Sequence, residues 1–305
     1  MTTLVFGHLS PDTDTTGSAI IWAWYLNEIA GEQAEAVLLG EPNTEAAFVL
    51  KHWDLPKPRI IDDVENGQKV VIVDTNNPAE LPPSIASADI RAIIDHHKLV
   101  GGLETSGPID ITIRPLACAA TILHDLIGDA PRPDWIKGTM LSCILSDTLE
   151  FRSPTTTQID RDLAESLASD LGISIPDYAA EMFAAKSDVS EFSDAELLRM
   201  DSKAYEVGGT KFRVSVLETT SPETVLARKA SLMDSMAAVA QEDGVDQVLF
   251  FVVDILNESS TLLVPNALVK GVAEKSFATL VGEADEVLLP GVVSRKKQII
   301  PNLAV

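Results

Sequence analysis

The chain has 305 residues, of which 46% are hydrophobic, and it carries a formal net charge of −23. This length is sufficient for about two domains with buried cores. The acidic excess argues against binding to nucleic acid, because such binding relies on Lys and Arg side chains that neutralise phosphates. Neither a bilayer-spanning apolar run nor a signal peptide is recognisable in the sequence, so we expect a soluble, cytoplasmic protein without a membrane partner.

The first half of the chain alternates short apolar strands with helices. Strands are predicted over residues 3–7, 36–40, 69–74 and 91–95, and helices over residues 16–30 and 43–53. Almost continuously apolar strands are typical of a parallel sheet that helices cover on both faces. We therefore predict an α/β fold with an N-terminal, doubly wound, mainly parallel sheet.

The second half contains a helical region followed by a smaller α/β domain. Helices dominate from about residue 117 to residue 186, and the polar, acidic stretch after them lacks apolar periodicity, which indicates a linker. Beyond the linker we predict a helix over residues 195–207, a strand over 211–218, a long helix from Pro222 and a strand over 247–255. The predicted organisation is an N-terminal domain over residues 1–187, a linker over 188–194 and a C-terminal domain over 195–305.

Side chains of the types that bind metal ions follow three of the N-terminal strands. They are His8, Asp12 and Asp14 after the first strand, Asp74 at the end of the third, and Asp95, His96 and His97 at the end of the fourth. A further acid, Asp147, lies in an otherwise apolar helical run. Ligands collect beyond the carboxyl ends of the strands in an open parallel sheet, so we expect these side chains to converge. Converging carboxylates repel one another unless cations lie between them, which favours a site with several metal ions.

Each of these residues also has a structural interpretation when it is considered alone. Asp12 follows a proline and is compatible with a turn, Asp14 with a helix N-cap, and Asp74 with a turn at the end of a strand. His52 and His124 lie in helical stretches and are interpreted as ordinary helix residues. The joint occurrence favours metal binding, and oxygen-rich ligation with imidazole suits Mn²⁺, Co²⁺ or Mg²⁺. Paired ions of this kind generate a hydroxide nucleophile and stabilise in-line displacement at phosphorus.

Six motifs in the same chain resemble those of the family II inorganic pyrophosphatases, the manganese-type branch of the DHH phosphoesterase superfamily. They are GHLSPDTD, VDTNN, DHH, SDTLEFRSPTTT, LLRMDSKAY and LPGVVSRKKQIIP, in order from residue 5 to residue 301. The combination of DHH with SRKK makes the resemblance specific. It implies hydrolysis of pyrophosphate to two phosphates, in a cleft between the two domains, by a hydroxide that bridges two metal ions and attacks phosphorus in line. It also implies Mn²⁺ or Co²⁺ at the site, Mg²⁺ with the substrate, and a homodimer.

The resemblance further implies a role for each residue of the site. One ion is assigned to His8, Asp12 and Asp74, and the other to Asp14, Asp74, His96 and Asp147, with Asp74 as the bridge. His97 is implied to bind the substrate and Asp95 to orient the histidine pair. The remaining pyrophosphate ligands are implied to be Lys203, Arg295 and Lys296.

Two positions depart from the family pattern. Thr75 stands where many members carry histidine, and Arg114 stands where glutamate is common, which leaves metal affinity and local packing open.

Two other functions fit part of the sequence. A DHH-type phosphodiesterase or exopolyphosphatase that acts on short polyphosphates or nucleotides would share the first domain. Such relatives usually carry a glycine-rich, histidine-containing motif in the second domain, which this sequence lacks. A metal-binding module without catalytic activity would lack the basic SRKK run, and that run is present.

Overall fold

The structure is a computed structural model that describes residues 2–282 and 285–305. The chain divides into two compact units, Met1–Ala185 (unit 1) and Lys186–Val305 (unit 2). Both units combine helices with a β-sheet, so the predicted α/β class is confirmed. The described residues contain no helix that combines the length and the apolar character needed to cross a membrane.

Unit 1 contains a six-stranded parallel sheet with six helices. Its strands are β1 (Thr3–Phe6), β2 (Ala34–Leu38), β3 (Arg59–Ile60), β4 (Lys69–Val73), β5 (Asp89–Asp95) and β6 (Asp110–Ile113). Its helices are α1 (Thr13–Glu28), α2 (Thr44–His52), α3 (Ala119–Ile127), α4 (Asp134–Thr148), α5 (Gln158–Leu171) and α6 (Ile175–Lys186). The strand order β3-β2-β1-β4-β5-β6, with every neighbouring pair parallel, confirms the predicted parallel sheet. Phe6, Ile72 and Ile93 are buried together in one of its cores, as expected for apolar strands covered on both faces.

Unit 2 contains a five-stranded mixed sheet. Its strands are β7 (Ser202–Val207), β8 (Thr210–Thr219), β9 (Gln247–Asp254), β10 (Ser259–Leu263) and β11 (Glu286–Pro290). Its helices are α7 (Asp194–Leu197), α8 (Pro222–Leu226), α9 (Lys229–Glu242), α10 (Ala267–Phe277) and α11 (Ile300–Asn302). The strand order is β11-β10-β9-β8-β7, in which only β8 and β9 run parallel. Strand β9 is central and almost wholly buried, which explains its strongly apolar sequence.

The helix predicted over residues 195–207 is wrong. Helix α7 ends at Leu197, and β7 pairs antiparallel with β8 over the second half of the predicted helix. Tyr205 and Val207, two residues apart, both pack against the core of unit 2, as the alternation of a strand requires. The run of Ala, Glu, Leu and Arg before β7 favours a helix locally, but the pairing with β8 outweighs that propensity.

The long helix predicted from Pro222 is also wrong, because it is divided into α8 and α9. The interruption falls at Ala227 and Arg228. The Arg228 guanidinium donates to the backbone carbonyls of Val189 and Phe192, at 2.9 and 2.8 Å. Val189 is itself buried in a core of unit 2. The stretch over residues 188–194, which we expected to be a linker, therefore packs within unit 2.

Candidate metal centre

The sheet order of unit 1 brings the expected ligand-bearing strands side by side. Strand β1 lies next to β4, and β4 lies next to β5, so their carboxyl ends share one edge of the sheet. The order of the strands changes direction at β1, because β2 and β3 lie on one side of it and β4 to β6 lie on the other. An open α/β sheet has its binding crevice at such a switch point. Gly7 allows the end of β1 to lie close to the end of β4, because a Cβ atom on Gly7 would lie 2.8 Å from the Val73 carbonyl oxygen.

The first group of potential ligands consists of His8, Asp12 and Asp74. The His8 Nε2 atom lies 3.6 Å from Asp12 Oδ2 and 3.5 Å from Asp74 Oδ2. Asp12 is also the N-cap of α1, and its Oδ1 atom accepts a hydrogen bond from the Thr15 N–H. The cap is therefore Asp12 and not Asp14, which had been considered for that role. The other oxygen of Asp12 stays available to a ligand.

The second group consists of Asp14, His96 and Asp147, with Asp74 beside it. The His96 Nε2 atom lies 3.1 Å from Asp74 Oδ1, 3.9 Å from Asp14 Oδ2 and 3.7 Å from Asp147 Oδ2. The His96 Nδ1 atom lies 3.2 Å from the Leu116 carbonyl oxygen, which can only accept. A hydrogen bond there places the proton of neutral His96 on Nδ1 and directs the Nε2 lone pair at the carboxylates.

The spacing of these donor atoms fits divalent cations. Two donors bound to one six-coordinate ion at about 2.1 Å lie roughly 3.0 Å apart when adjacent and 4.2 Å apart when opposite. The histidine-to-carboxylate distances of the two groups run from 3.1 to 3.9 Å. In each group one atom of every residue lies within 4.8 Å of the others. A third such group joins Asp74, His96 and His97, so Asp74 belongs to two of the three groups.

Asp74 is held in an unusual backbone conformation. Its φ angle is +57°, in the left-handed region, which costs a residue other than glycine about 1–2 kcal/mol. Its N–H donates to the Ile94 carbonyl at 2.9 Å, and its Oδ2 atom accepts a 2.6 Å hydrogen bond from the Thr15 hydroxyl. The two oxygens of Asp74 consequently face different histidines, Oδ2 towards His8 and Oδ1 towards His96. This is the orientation that a bridging carboxylate needs.

Asp14 is fixed by the N-terminus of α3. Its carboxylate accepts hydrogen bonds from the backbone N–H groups of Ala119, at 2.6 Å, and Ala120, at 3.2 Å. The Ser18 hydroxyl, at 2.9 Å, and the Cys118 thiol, at 3.2 Å, also donate to Asp14. A helix N-terminus stabilises a carboxylate through its free N–H groups and its dipole. Asp14 is thereby oriented in a buried position.

The histidines of the centre are surrounded by negative charge. Burial alone would lower the pKa of His8, but hydrogen bonds with Asp12 and Asp74 outweigh it and raise that pKa to about 10. Burial alone would also lower the pKa of His96, but the hydrogen bond with Asp74 and the charge of Asp74 outweigh it and raise that pKa to about 9. Both imidazoles therefore attract a positive charge, which is either a proton or a metal cation.

The carboxylates show the same need for cations. Burial, followed by the charge of Asp74, raises the pKa of Asp14 to about 6. Burial, followed by the charges of Asp14 and Asp74, holds the pKa of Asp147 well above its usual range. Burial opposes ionisation at Asp74 too, but hydrogen bonds with His8 and His96 lower its pKa. Ionised acids at this density are stable only beside positive charge, so the donor set fits two divalent ions.

Asp95 and His97 form a connected pair next to the metal ligands. One oxygen of Asp95 accepts hydrogen bonds from the N–H groups of His96, at 2.8 Å, and His97, at 3.0 Å, and from His97 Nδ1 at 2.9 Å. The other oxygen accepts a 2.5 Å hydrogen bond from the Asn76 amide. The bond to Asp95 raises the pKa of His97, and the half-exposed ring keeps its Nε2 atom available.

The basic side chains expected to contact phosphate lie in unit 2. The Arg295 guanidinium donates to the backbone carbonyl of Asp201, at 2.5 Å, and to its carboxylate, at 2.8 Å. Three of its five N–H donors have no partner among the described residues. Lys203, on β7, and Lys296 are exposed, and neither forms an ion pair with another residue in the described parts of the chain.

The basic run itself forms a π-helical turn over Arg295–Ile299. The Gln298 side chain stabilises the turn, since its oxygen accepts from the N–H groups of Val293 and Ser294, each at 2.9 Å. Its amide donates to the Gly291 carbonyl at 2.5 Å. Such turns are rare and are frequently found at functional sites. The terminal SRKK run is thus an ordered turn and not an extended tail.

The residues at the positions that depart from the family pattern have partners of their own. The Thr75 hydroxyl donates to Glu80 at 2.7 Å, and Arg114 forms an ion pair with Asp125. His52 and His124 belong to none of the potential metal-binding groups of the described residues. The ring centroid of His52 lies 4.8 Å from that of Tyr178, in an aromatic cluster.

Three polar residues of the centre were missed by sequence reasoning. Thr15 bonds to Asp74, Asn76 bonds to Asp95, and the buried Glu45 accepts hydroxyl hydrogen bonds from the helices that carry Asp12, Asp14 and Asp147. Asn76 and Thr15 lie within three residues of an expected ligand, which is a usable signal. Glu45 offers none, because its partner Ser146 is 101 residues away in the sequence.

Comparison with known proteins gives consistent matches along the chain. The DHH family, N-terminal domain, matches residues 2–148, and the DHHA2 domain matches residues 180–304. A protein of Deinococcus radiodurans that is named a manganese-dependent inorganic pyrophosphatase is 41% identical, over 98% of this chain and 96% of the relative.

Solved structures agree with these sequence matches. The crystal structure of a Methanococcus jannaschii protein, titled as a family II inorganic pyrophosphatase, has a TM-score of 0.61 and 33% identity and covers 99% of this chain and 98% of that chain. An exopolyphosphatase-related protein from Bacteroides fragilis has a TM-score of 0.52 and 14% identity over 98% of this chain and 89% of that chain. The second likeness concerns the fold alone.

Proposed function

This chain belongs to the family II, manganese-dependent inorganic pyrophosphatases, and we propose that it hydrolyses inorganic pyrophosphate to two phosphates. The observation that carries the proposal is the shared position of Asp74 between two groups of potential metal ligands. The second support is the cluster of cationic side chains in unit 2 around the π-helical turn. Together they supply what phosphoryl transfer needs, which is positioning and neutralisation of negative charge.

We propose two Mn²⁺ ions as the resident metals, with Co²⁺ as a competent replacement. One ion would be held by His8, Asp12 and Asp74, and the other by Asp14, Asp74, His96 and Asp147. The spacing and burial of these donors support the assignment. When bound, paired ions of this kind supply Lewis acidity and activate water for in-line attack at phosphorus.

The remaining residues act on the substrate, which we propose arrives as a complex with Mg²⁺. As an imidazolium, which the pKa-raising bond to Asp95 favours, His97 donates a hydrogen bond from Nε2 to a phosphoryl oxygen, and Asp95 keeps its ring in place through Nδ1. Arg295 binds phosphate oxygens with the donors that Asp201 leaves free, while Lys203 and Lys296 supply compact positive charge. These cations stabilise the charge that develops on the departing phosphate.

We also propose that the protein acts in the cytoplasm as a homodimer. Strand β6 is at an edge of the sheet in unit 1, and its Ile111 side chain is 57% exposed, which supports pairing with a second copy. Sedimentation analysis would give the mass of a dimer. A monomer at micromolar concentration would contradict this part of the proposal.

The experiment that tests the function compares three substrates with one metal. The protein is stripped with a chelator, Mn²⁺ is restored, and phosphate release is measured from pyrophosphate, tripolyphosphate and a short oligonucleotide. We expect hydrolysis of pyrophosphate to disappear with the metal, to return with Mn²⁺, and to exceed the other two rates. Faster cleavage of tripolyphosphate or of the oligonucleotide would favour an exopolyphosphatase or a phosphodiesterase instead.

A further inference from the structure

Glu45 is a fully buried acid that the proposed reaction does not use. It lies in the first turn of α2, and its side chain is closed to solvent. One of its oxygens, Oε2, accepts a 2.9 Å hydrogen bond from the Thr13 hydroxyl and a 2.6 Å hydrogen bond from the Ser146 hydroxyl. Both donors are themselves buried. A single carboxylate oxygen thus connects α1, α2 and α4.

The two hydroxyl donors occupy informative positions in the chain. Thr13 stands between Asp12 and Asp14, and Ser146 directly precedes Asp147. Three of the proposed metal ligands are therefore neighbours of a residue that binds Glu45. Because both hydroxyls share one acceptor atom, a shift of α1 along α4 would lengthen at least one of the two bonds.

Part of the contact between α1 and α4 is formed by small groups, and the rings of Trp24 and Trp135 also meet there, with centroids 6.4 Å apart. A Cβ atom on Gly17 of α1 would lie 2.3 Å from the Cys143 sulfur of α4 and 3.0 Å from a methyl group of Thr139. Close packing of this kind sets the distance between the helices, and the polar bond beside it is weak, because the Cys143 thiol donates to the Thr13 carbonyl at 3.4 Å. Hydrogen bonds to a carboxylate are directional and stronger than those between neutral groups. Glu45 therefore supplies a strong directional constraint on the relative position of these helices.

We propose that Glu45 is a positioning residue that fixes the spacing between Asp12 and Asp14 on one side and Asp147 on the other. Through this spacing it sets the affinity of the centre for Mn²⁺. The inference rests on the proposed metal centre. Groups that hold metal ligands in place typically change metal affinity by about 10- to 100-fold when they are lost.

The test uses substitutions that distinguish the effect of losing a hydroxyl hydrogen bond from the effect of changing side-chain packing. Thr13→Val keeps the shape of the side chain and removes the hydroxyl, whereas Thr13→Ser keeps the hydroxyl and removes a methyl group. Ser146→Ala removes the second donor. Thr139→Val is the matched control on α4, because the one partner of the Thr139 hydroxyl among the described residues is the Trp135 carbonyl of its own helix. Calorimetric titration of the stripped full-length protein with Mn²⁺ alone gives the affinity, and circular dichroism verifies folding.

We expect Thr13→Val and Ser146→Ala to weaken Mn²⁺ binding by about 10-fold or more, while Thr13→Ser and Thr139→Val stay within about 3-fold of wild type. If Thr13→Ser loses as much affinity as Thr13→Val, packing and not the bond to Glu45 is responsible, and the inference is overturned. Equal binding by all four variants overturns it as well. Should Ser146→Ala fail to fold, the Thr13 pair still decides. A wild-type chain that takes up no Mn²⁺ would instead refute the metal centre itself.

Discussion

The acidic centre of unit 1 and the basic turn of unit 2 are built in opposite ways. In unit 1 Asp14, Asp74 and Asp95 are buried and the other charged groups of the centre lie in contact with them, and Asp74 even adopts a left-handed backbone conformation. Of the three basic side chains of unit 2 that we propose bind phosphate, Lys203 and Lys296 are exposed, and Arg295 alone has a charged partner among the described residues, Asp201. The difference indicates that the acidic side is organised before any ligand arrives.

This contrast follows from the cost of burying charge. An uncompensated buried carboxylate costs several kcal/mol, so the acidic centre needs both its hydrogen bonds and its cations. Exposed lysines have no such cost and gain little from fixed partners. We therefore expect substitutions of the metal ligands in unit 1 to change metal binding and activity together, and substitutions of the phosphate-binding cations in unit 2 to change activity alone.

The largest effect should come from Asp74→Asn, which removes the proposed bridge. We expect Mn²⁺ affinity to fall by more than about 100-fold, since even residues that only support the ligands account for 10- to 100-fold. Hydrolysis of pyrophosphate should fall to background. Metal analysis after dialysis and a phosphate-release assay measure the two effects. Asp170→Asn, at a half-exposed acid on α5 that pairs with Lys137, is the matched control and should change neither.

Removal of Arg295 should separate metal binding from catalysis. Arg295→Ala is expected to lower kcat/KM by about 100- to 1,000-fold through the loss of charge stabilisation, while the Mn²⁺ content stays at the wild-type level. Lys297→Ala, in the same turn, tests whether the effect is specific, and we expect a change within about 3-fold. Equal losses in the two variants would point to general electrostatic attraction and not to a defined contact.

A smaller effect is expected at Asn76, which bonds to Asp95 and not to a metal ligand. Asn76→Ala should lower kcat by about 10- to 100-fold, because His97 loses part of its support, and it should leave Mn²⁺ content unchanged. Steady-state kinetics with separate values of kcat and KM provide the measurement. Asn257→Ala is the control, since the side-chain amide of Asn257 donates the same kind of hydrogen bond, at 2.7 Å, to the Asp254 carboxylate in an exposed turn. Loss of metal from the Asn76 variant would place Asn76 in the metal centre.

The smallest effect concerns backbone strain away from the proposed site. Ala278 ends α10 with a φ angle of +49°, in the left-handed region. Ala278→Gly should stabilise the protein by about 0.5 kcal/mol, since relief of about 1–2 kcal/mol of strain exceeds the entropy that glycine adds to the unfolded chain. Ala227→Gly, at a right-handed position with φ of −58°, should destabilise it. Calorimetric melting temperatures that move in the same direction for both variants would refute this interpretation.

The sequence was most informative where an apolar run typical of a strand is followed directly by a side chain of a metal-binding type. The apolar runs before His8, Asp74 and Asp95 predicted parallel strands, and the sheet indeed brings these strand ends together. The predicted helix over residues 195–207 failed because pairing with β8 decides the structure of that segment. The Gly208-Gly209 turn that joins β7 to β8 is a local hairpin signal, which the prediction of a helix did not use.

Support for the ligands from distant parts of the chain was beyond sequence reasoning. Glu45 bonds to Ser146 across 101 residues, and Asp14 bonds to Ala119 across 105 residues. Such partners are brought together by the packing of whole helices, which a single sequence does not specify. Ligand types were therefore recognisable, whereas the groups that orient them from distant parts of the chain were not.

The most direct test of the account is anomalous diffraction at the manganese absorption edge from crystals grown with Mn²⁺. The account predicts two peaks, each within about 2.0–2.4 Å of a different oxygen of Asp74, with His8 beside one and His96 beside the other. A single peak, or two peaks that share no bond to Asp74, would contradict it.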